Sequence, residues 1–105
     1  MKKNATSKIE GLADLFKMAR TKAELVNLLD NLCTPAELDK FYDRIRIIDC
    51  LDQGLSQRVT LQKTKTAIAT ITRGAFLLRQ SNVFLVKLIR RARNLSWWHK
   101  LFWRA

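Results

Sequence analysis

The sequence predicts an all-α fold. Apolar residues recur at helical spacing, helix-capping signals punctuate the chain, and only three glycines and one proline interrupt 105 residues. No alternating β-branched run of strand length stands out. Six helices joined by short connections are expected, preceded by a polar, flexible N-terminal arm over residues 1–7.

Ile9, Leu12, Leu15 and Phe16 fall on one face of a first helix, from about Lys8 to Arg20. Thr21 opens a second helix, with Glu24 completing a capping box and Leu25, Leu28, Leu29 and Leu32 as its apolar positions. Thr34-Pro35-Ala36-Glu37 is the strongest local signal: a threonine cap, proline at the first helical position and glutamate at the third. The long helix that follows is expected to bury Leu38, Phe41, Ile45, Ile48 and Leu51 and to stop at Gly54.

Ser56 then caps a short helix from Gln57 to Lys63. The joint is Thr64-Lys65-Thr66, and a second short helix runs from Ala67 to about Leu78 with Thr66 as its cap. Ile68, Ile71, Ala75 and Leu78 form its apolar stripe. Its opposite side carries Ala69, Thr70, Thr72 and Arg73, small or basic and without a carboxylate. Such a face can approach a phosphate backbone and reach base edges. Ser81 or Asn82 caps a sixth helix, with Val83, Val86 or Leu85, and Ile89 turned inward.

The charge is strongly asymmetric. Twenty basic and nine acidic residues give a formal net charge of +11. All nine carboxylates lie at or before Asp52, balanced there by nine Lys and Arg. From Gln53 to Ala105 there are eleven basic residues and no acidic one. This polarity points to a polyanionic partner, nucleic acid or an anionic membrane surface. A merely solvated basic surface would keep carboxylates interspersed.

The last sixteen residues, RRARNLSWWHKLFWRA, place three Trp and one Phe among five Lys/Arg. Trp98, Leu101 and Phe102 share a helical face. Three readings compete for residues 94–105: packing on a dimer core, contact with DNA or an anionic membrane as a basic amphipathic helix, or disorder.

Catalysis calls for a nucleophile–base pair, paired carboxylates or a metal cluster. Ser56 has no histidine partner in motif terms, the basic half has no carboxylate, and His99 is the single histidine. An enzyme is therefore not expected, nor a metal site. Cys33 and Cys50 read as small buried thiols of a reducing cytosol. No signal peptide and no run of transmembrane length is visible, so a cytoplasmic protein without stable membrane insertion is expected.

The string IATITRG, Ile68 to Gly74, with SQR at Ser56 to Arg58, resembles the helix-turn-helix of the bacterial tryptophan repressor family. The resemblance extends upstream through LCTPAELDKFYDRIRII and covers Leu32 to Leu78. It implies a six-helix fold over residues 8–93 with the helix-turn-helix at 56–78, assembled as an intertwined homodimer. Two-fold symmetry suits such a reader, because successive major grooves lie about 34 Å apart. The implied function is a transcriptional repressor of double-stranded DNA with L-tryptophan as corepressor and no other cofactor.

In that family an indole lies between two arginines, which fall on Arg44 and Arg73 here. Gly74 matches the glycine that lets the ligand approach the backbone, and Thr34 matches the opposite wall. Guanidinium groups stack on aromatic rings and hold carboxylates bidentately. For DNA, Gln57 and Arg58 are expected at phosphates and Ile68, Ala69, Thr70 and Thr72 toward base edges. Lys63, Lys65, Arg73 and Arg79 add basic contacts. The sequence departs from the family pattern at Leu77, one turn after Arg73, where a small polar residue is usual. Leu77 offers no hydroxyl to the ligand's ammonium and adds bulk. Two alternatives follow: a tryptophan-independent regulator with its pocket filled by Leu77, or a membrane- or RNA-associated protein led by the aromatic tail.

Overall fold

A computed structural model of the chain describes residues 3–80 and 83–103. Seven helices follow one another: α1 (Lys3–Lys17), α2 (Lys22–Leu32), α3 (Pro35–Asp52), α4 (Gln57–Thr64), α5 (Ile68–Arg79), α6 (Phe84–Arg93) and α7 (Ser96–Phe102). No strand occurs among the described residues. The all-α expectation holds, and the tail supplies a helix beyond the six expected. The chain divides into two compact units, Met1–Glu37 and Leu38–Ala105.

In the first unit, both capping boxes form. The Thr21 hydroxyl accepts from Glu24 N at 3.1 Å, and the Thr34 hydroxyl accepts from Glu37 N at 3.2 Å while Thr34 N donates to Glu37 Oε1 at 2.9 Å. The first box also corrects a boundary. Arg20 N donates to Glu24 Oε1 at 2.8 Å. That bond draws Arg20 into the cap of α2, and α1 ends at Lys17 instead of Arg20. At its other end α1 begins at Lys3, so the arm expected over residues 1–7 is helical from that point; nothing in Lys3–Ser7 is a helix breaker. Many apolar side chains of this unit stay exposed: Ile9, Leu12, Leu15, Met18, Val26 and Leu32 are all about half open to solvent or more, whereas Phe16, Leu28 and Leu29 are half-buried.

The second unit is built on the C-terminal half of α3. Ile48, Val86, Ile89 and Trp98 form its buried core, surrounded by Ile45, Leu77, Leu78, Val83, Leu85, Ala92, Phe102 and Trp103. The sixth helix turns Val86 and Ile89 inward as its periodicity predicts, whereas the proposed caps Ser81 and Asn82 lie outside the described residues. Phe41 is exposed, contrary to expectation, and Leu38, Ile45 and Leu51 are half-buried. Full burial on α3 is confined to the four consecutive residues Ile47 to Cys50. The whole girth of the helix is covered there, where α5, α6 and α7 converge. Burial pushes the Cys50 thiol pKa up, and Cys33 is half-buried.

One of those four residues is a carboxylate. Asp49 has no exposed surface. It accepts from Gln53 Nε2 at 3.1 Å, Arg93 Nε at 2.6 Å, Trp98 Nε1 at 3.1 Å and Trp103 Nε1 at 2.7 Å. One turn on, Asp52 accepts from Arg93 Nη2 at 3.0 Å and from Arg90 Nε at 3.0 Å. The Arg90 hydrogen bond, with help from Arg93, holds the Asp52 carboxyl below its ordinary range. Two carboxylates of α3 thus bind α6 and the tail. Through Trp103 the tail packs on its own chain's core, with Phe102 stacked on Trp98 at 4.4 Å and on Tyr42 at 4.5 Å between ring centroids. Leu101, expected on the same face as Trp98, points to solvent.

Replacing Asp49 by Ala leaves the Arg93 charge and two indole N–H groups without their shared acceptor. Arg93 keeps its bond to Asp52, so the loss is set by the orphaned indole donors, about 1–3 kcal/mol for each buried one. Urea unfolding at fixed protein concentration, followed by tryptophan fluorescence, should show a drop of that size.

Candidate nucleic-acid interface and ligand groove

The helix-turn-helix forms as two helices around one sharp turn. The Ser56 hydroxyl accepts from Val59 N at 3.1 Å and starts α4. Two threonines of α4 are buried, and each spends its hydroxyl on the carbonyl four residues earlier: Thr60 on Ser56 O and Thr64 on Thr60 O, both at 2.8 Å. With its donor satisfied, a buried threonine packs as a small apolar residue. The turn itself is made by Lys65 at φ 55°, ψ 39°. A non-glycine residue holds this left-handed conformation at a cost of about 1–2 kcal/mol, so the turn forms without the glycine common at such joints.

The expected cap of α5 is corrected. Ala67 precedes the helix with no side-chain cap, and Thr66 instead shares a hydrogen bond with Thr64 at 2.9 Å. Ile71 takes the inward position of the apolar stripe, buried to 1%. Ile68, also assigned to that stripe, is 66% exposed, because as the first residue of α5 it overhangs the core. It therefore belongs with the outward residues. Gln57, Arg58, Lys63, Lys65, Ala69, Thr72, Arg73 and Arg79 are likewise exposed, and Thr70 is half-buried. The Thr72 hydroxyl bonds back to Ile68 O at 3.1 Å, so its remaining acceptor capacity is what faces outward.

Between α3 and α5 lies an open groove of about 1160 Å³. Its α3 wall carries Lys40, Asp43, Arg44, Ile47 and Ile48, and its α5 wall carries Ala69, Thr70, Thr72, Arg73, Gly74, Phe76, Leu77 and Arg79. Arg44 and Arg73, 29 positions apart in the chain, therefore face one space. Five Lys/Arg residues line it (Lys40, Arg44, Lys65, Arg73 and Arg79) against one carboxylate, Asp43, which pairs with Arg46 at 3.8 Å. Such a lining suits an anionic ligand with an aromatic or apolar body.

A family model described as Trp repressor protein matches residues 7–93. This chain belongs to that family. No curated protein and no solved structure gives a match. The Trp repressor match reaches well beyond the motifs of Leu32 to Leu78, into α1 and through α6. Residues 94–105, which hold α7, lie outside it.

Within the Trp repressor frame the remaining site residues fall as follows. Leu77 lines the groove and at the same time packs on the core around Ile48 and Val86. Thr34 belongs to the first unit, where its hydroxyl caps α3, and the groove lining comes from the second unit alone. Gly74 has a packing role that sequence reasoning missed. A Cβ there would sit 2.7 Å from Ile47 Cγ2, with Ile48 Cδ1 at 3.6 Å and Leu51 Cδ1 at 3.7 Å. The absent side chain lets α5 approach α3 closely. Asp49 and Asp52 were missed as well. Their signal was two carboxylates one turn apart, directly ahead of a half-chain with no acid of its own.

Gly74→Ala should destabilise the protein by about 1–3 kcal/mol, as overpacking does, despite a helix-propensity gain of about 1 kcal/mol. The contacting methyl sits on the β-carbon of a buried isoleucine and cannot swing away. Ile47→Leu moves the branch one carbon outward and should restore part of the loss. Thermal melts of the two single variants and the double variant measure both effects.

Proposed function

We propose that this chain is a sequence-specific DNA-binding transcriptional repressor, acting as a homodimer in the cytoplasm with L-tryptophan as corepressor. The observation that carries this reading is the shared wall of α5. Arg44, Arg73, Gly74 and Leu77 line the same groove as Ala69, Thr70 and Thr72, three residues of the face suited to base edges. A ligand seated against Arg73 bears directly on the helix that would enter the major groove, so ligand and operator affinities are coupled. Five Lys/Arg on the groove and none of the chain's acids after Asp52 favour an anionic partner. The exposed apolar residues of α1 and α2 support assembly, since half-open Ile9, Leu12, Leu15 and Leu32 in a chain of this size call for a covering surface.

Arg73 holds the ligand's carboxylate in this reading, and the guanidinium groups of Arg44 and Arg73 flank its ring. A second reading has its own observation. Leu77 occupies the groove wall and is anchored in the core, so α5 is already supported and DNA binding is constitutive. A missing hydrogen bond to a charged amine is worth about 1.5–3 kcal/mol, enough to weaken the ligand roughly ten- to a hundred-fold.

Gel shifts on genomic fragments with and without L-tryptophan, paired with calorimetry, separate the two. The first reading expects tryptophan to raise specific affinity, with Arg44→Ala and Arg73→Ala each abolishing the rise but keeping non-specific binding. Constitutive shifting with no tryptophan heat supports the second reading, and Leu77→Ser should then gain tryptophan binding. A protein that shifts no DNA in either state defeats both.

Size-exclusion chromatography with light scattering at micromolar concentration should return a dimer. A folded monomer there would remove the assembly.

A further inference from the structure

The helix-turn-helix has a support that the family match does not include. Trp103, ten residues beyond the matched segment, donates its indole N–H to buried Asp49 at 2.7 Å. The Arg46 guanidinium lies over the same ring at 4.9 Å from its centroid, and the Lys63 ammonium lies over it at 5.2 Å. Arg46 also donates through Nη2 to the carbonyl of Lys63 at 3.3 Å, in the last turn of α4. These contacts join three places in the chain: the end of the tail, the middle of α3 and the C-terminal turn of α4. Among the described residues, Arg46 and Lys63 are the cations recorded over this ring.

We propose that Trp103 is a positioning residue for the first helix of the helix-turn-helix, its indole pinned by Asp49 and holding the last turn of α4 to α3 through Arg46 and Lys63. This rests on the DNA-binding reading for its functional consequence. The turn that follows is tied locally by the Thr64–Thr66 hydrogen bond at 2.9 Å. Lys65 follows in a left-handed conformation that lysine tolerates poorly, and α5 starts without a side-chain cap. A fixed α4 sets the angle at which α5 leaves the turn, and with it the fit to a major groove. The indole face supplies the attraction, because its negative quadrupole draws both cations. The buried carboxylate supplies the orientation, because a single short acceptor fixes the ring's edge. Lys63 keeps an exposed side chain and stays available to a phosphate.

The test compares Trp103→Leu with Trp103→Phe in the full chain. Neither touches Gln53, Arg93 or Trp98, which still donate to Asp49. Hydrogen exchange of the free protein should speed up at the amides of Thr60 to Lys65 by roughly five- to thirty-fold in Trp103→Leu, the value of two exposed cation–π contacts. The amides of α5 and α6 should change little, and Trp103→Phe, which keeps an aromatic face but loses the bond to Asp49, should restore part of the protection. Arg46→Gln, which leaves the indole and its Asp49 bond in place, should speed the same amides even if Trp103→Leu fails to fold. On DNA bound by the wild type, Trp103→Leu should lose affinity by a similar factor with an unchanged salt slope, since no phosphate contact is removed. Unchanged exchange at α4, a uniform rise across all helices, or full affinity in Trp103→Leu would overturn the proposal. A wild-type protein that binds no DNA refutes the repressor reading instead, and exchange still decides whether Trp103 positions α4.

Discussion

Asp49 is a charge with no access to water, and the second unit is arranged around that fact. An unanswered buried carboxylate is far too costly to keep, so its oxygens are met by an amide, a guanidinium and two indoles. Gln53 follows α3, Arg93 ends α6, Trp98 lies in α7 and Trp103 follows it. The directions of the three bonds from Arg93, Trp98 and Trp103 fix α6 and the tail on α3 more narrowly than apolar contact would, because hydrogen bonds weaken steeply with angle. The apolar core of Ile48, Val86, Ile89 and Trp98 then closes beside them.

The same helix faces the groove on its other side. Asp49 looks toward α6 and α7, while Lys40, Asp43, Arg44 and Ile47 look toward α5. One helix therefore organises both the unit's stability and its candidate chemistry. Gly74 joins the two roles: the approach it permits brings the α5 wall, with Arg73 and Leu77, into one groove with Arg44. Across Gly74, α5 packs closely on α3 beside both groove walls.

The first unit contrasts with the second. The starts of α2 and α3 are capped there by Thr21, Glu24, Thr34 and Glu37, so those ends are set locally. Much of the apolar surface of α1 and α2 remains open. Ile9, Leu12, Leu15, Val26 and Leu32 thus leave apolar surface that this chain does not cover. The second unit buries its stripe within one chain, with the tail's Trp98 and Phe102 completing it.

What could be read from the sequence was whatever depends on neighbours within about four residues. The caps at Thr21, Thr34 and Ser56, the inward turn of Ile71, Val86 and Ile89, and the two-helix motif of Ser56 to Leu78 all obey short-range rules. The charge polarity after Asp52 needed only counting. The grouping of Arg44 with Arg73 was legible through IATITRG and the long helix before it, as a family pattern and not as geometry. Tertiary structure alone decided the rest. It turned Ile68 and Phe41 outward, because burial at a helix end depends on what lies beyond it. It gave Gly74 to Ile47. It made an ordered helix of the tail, because Asp49 and Trp103 are 54 positions apart and no local pattern carries the energy of a contact across that distance.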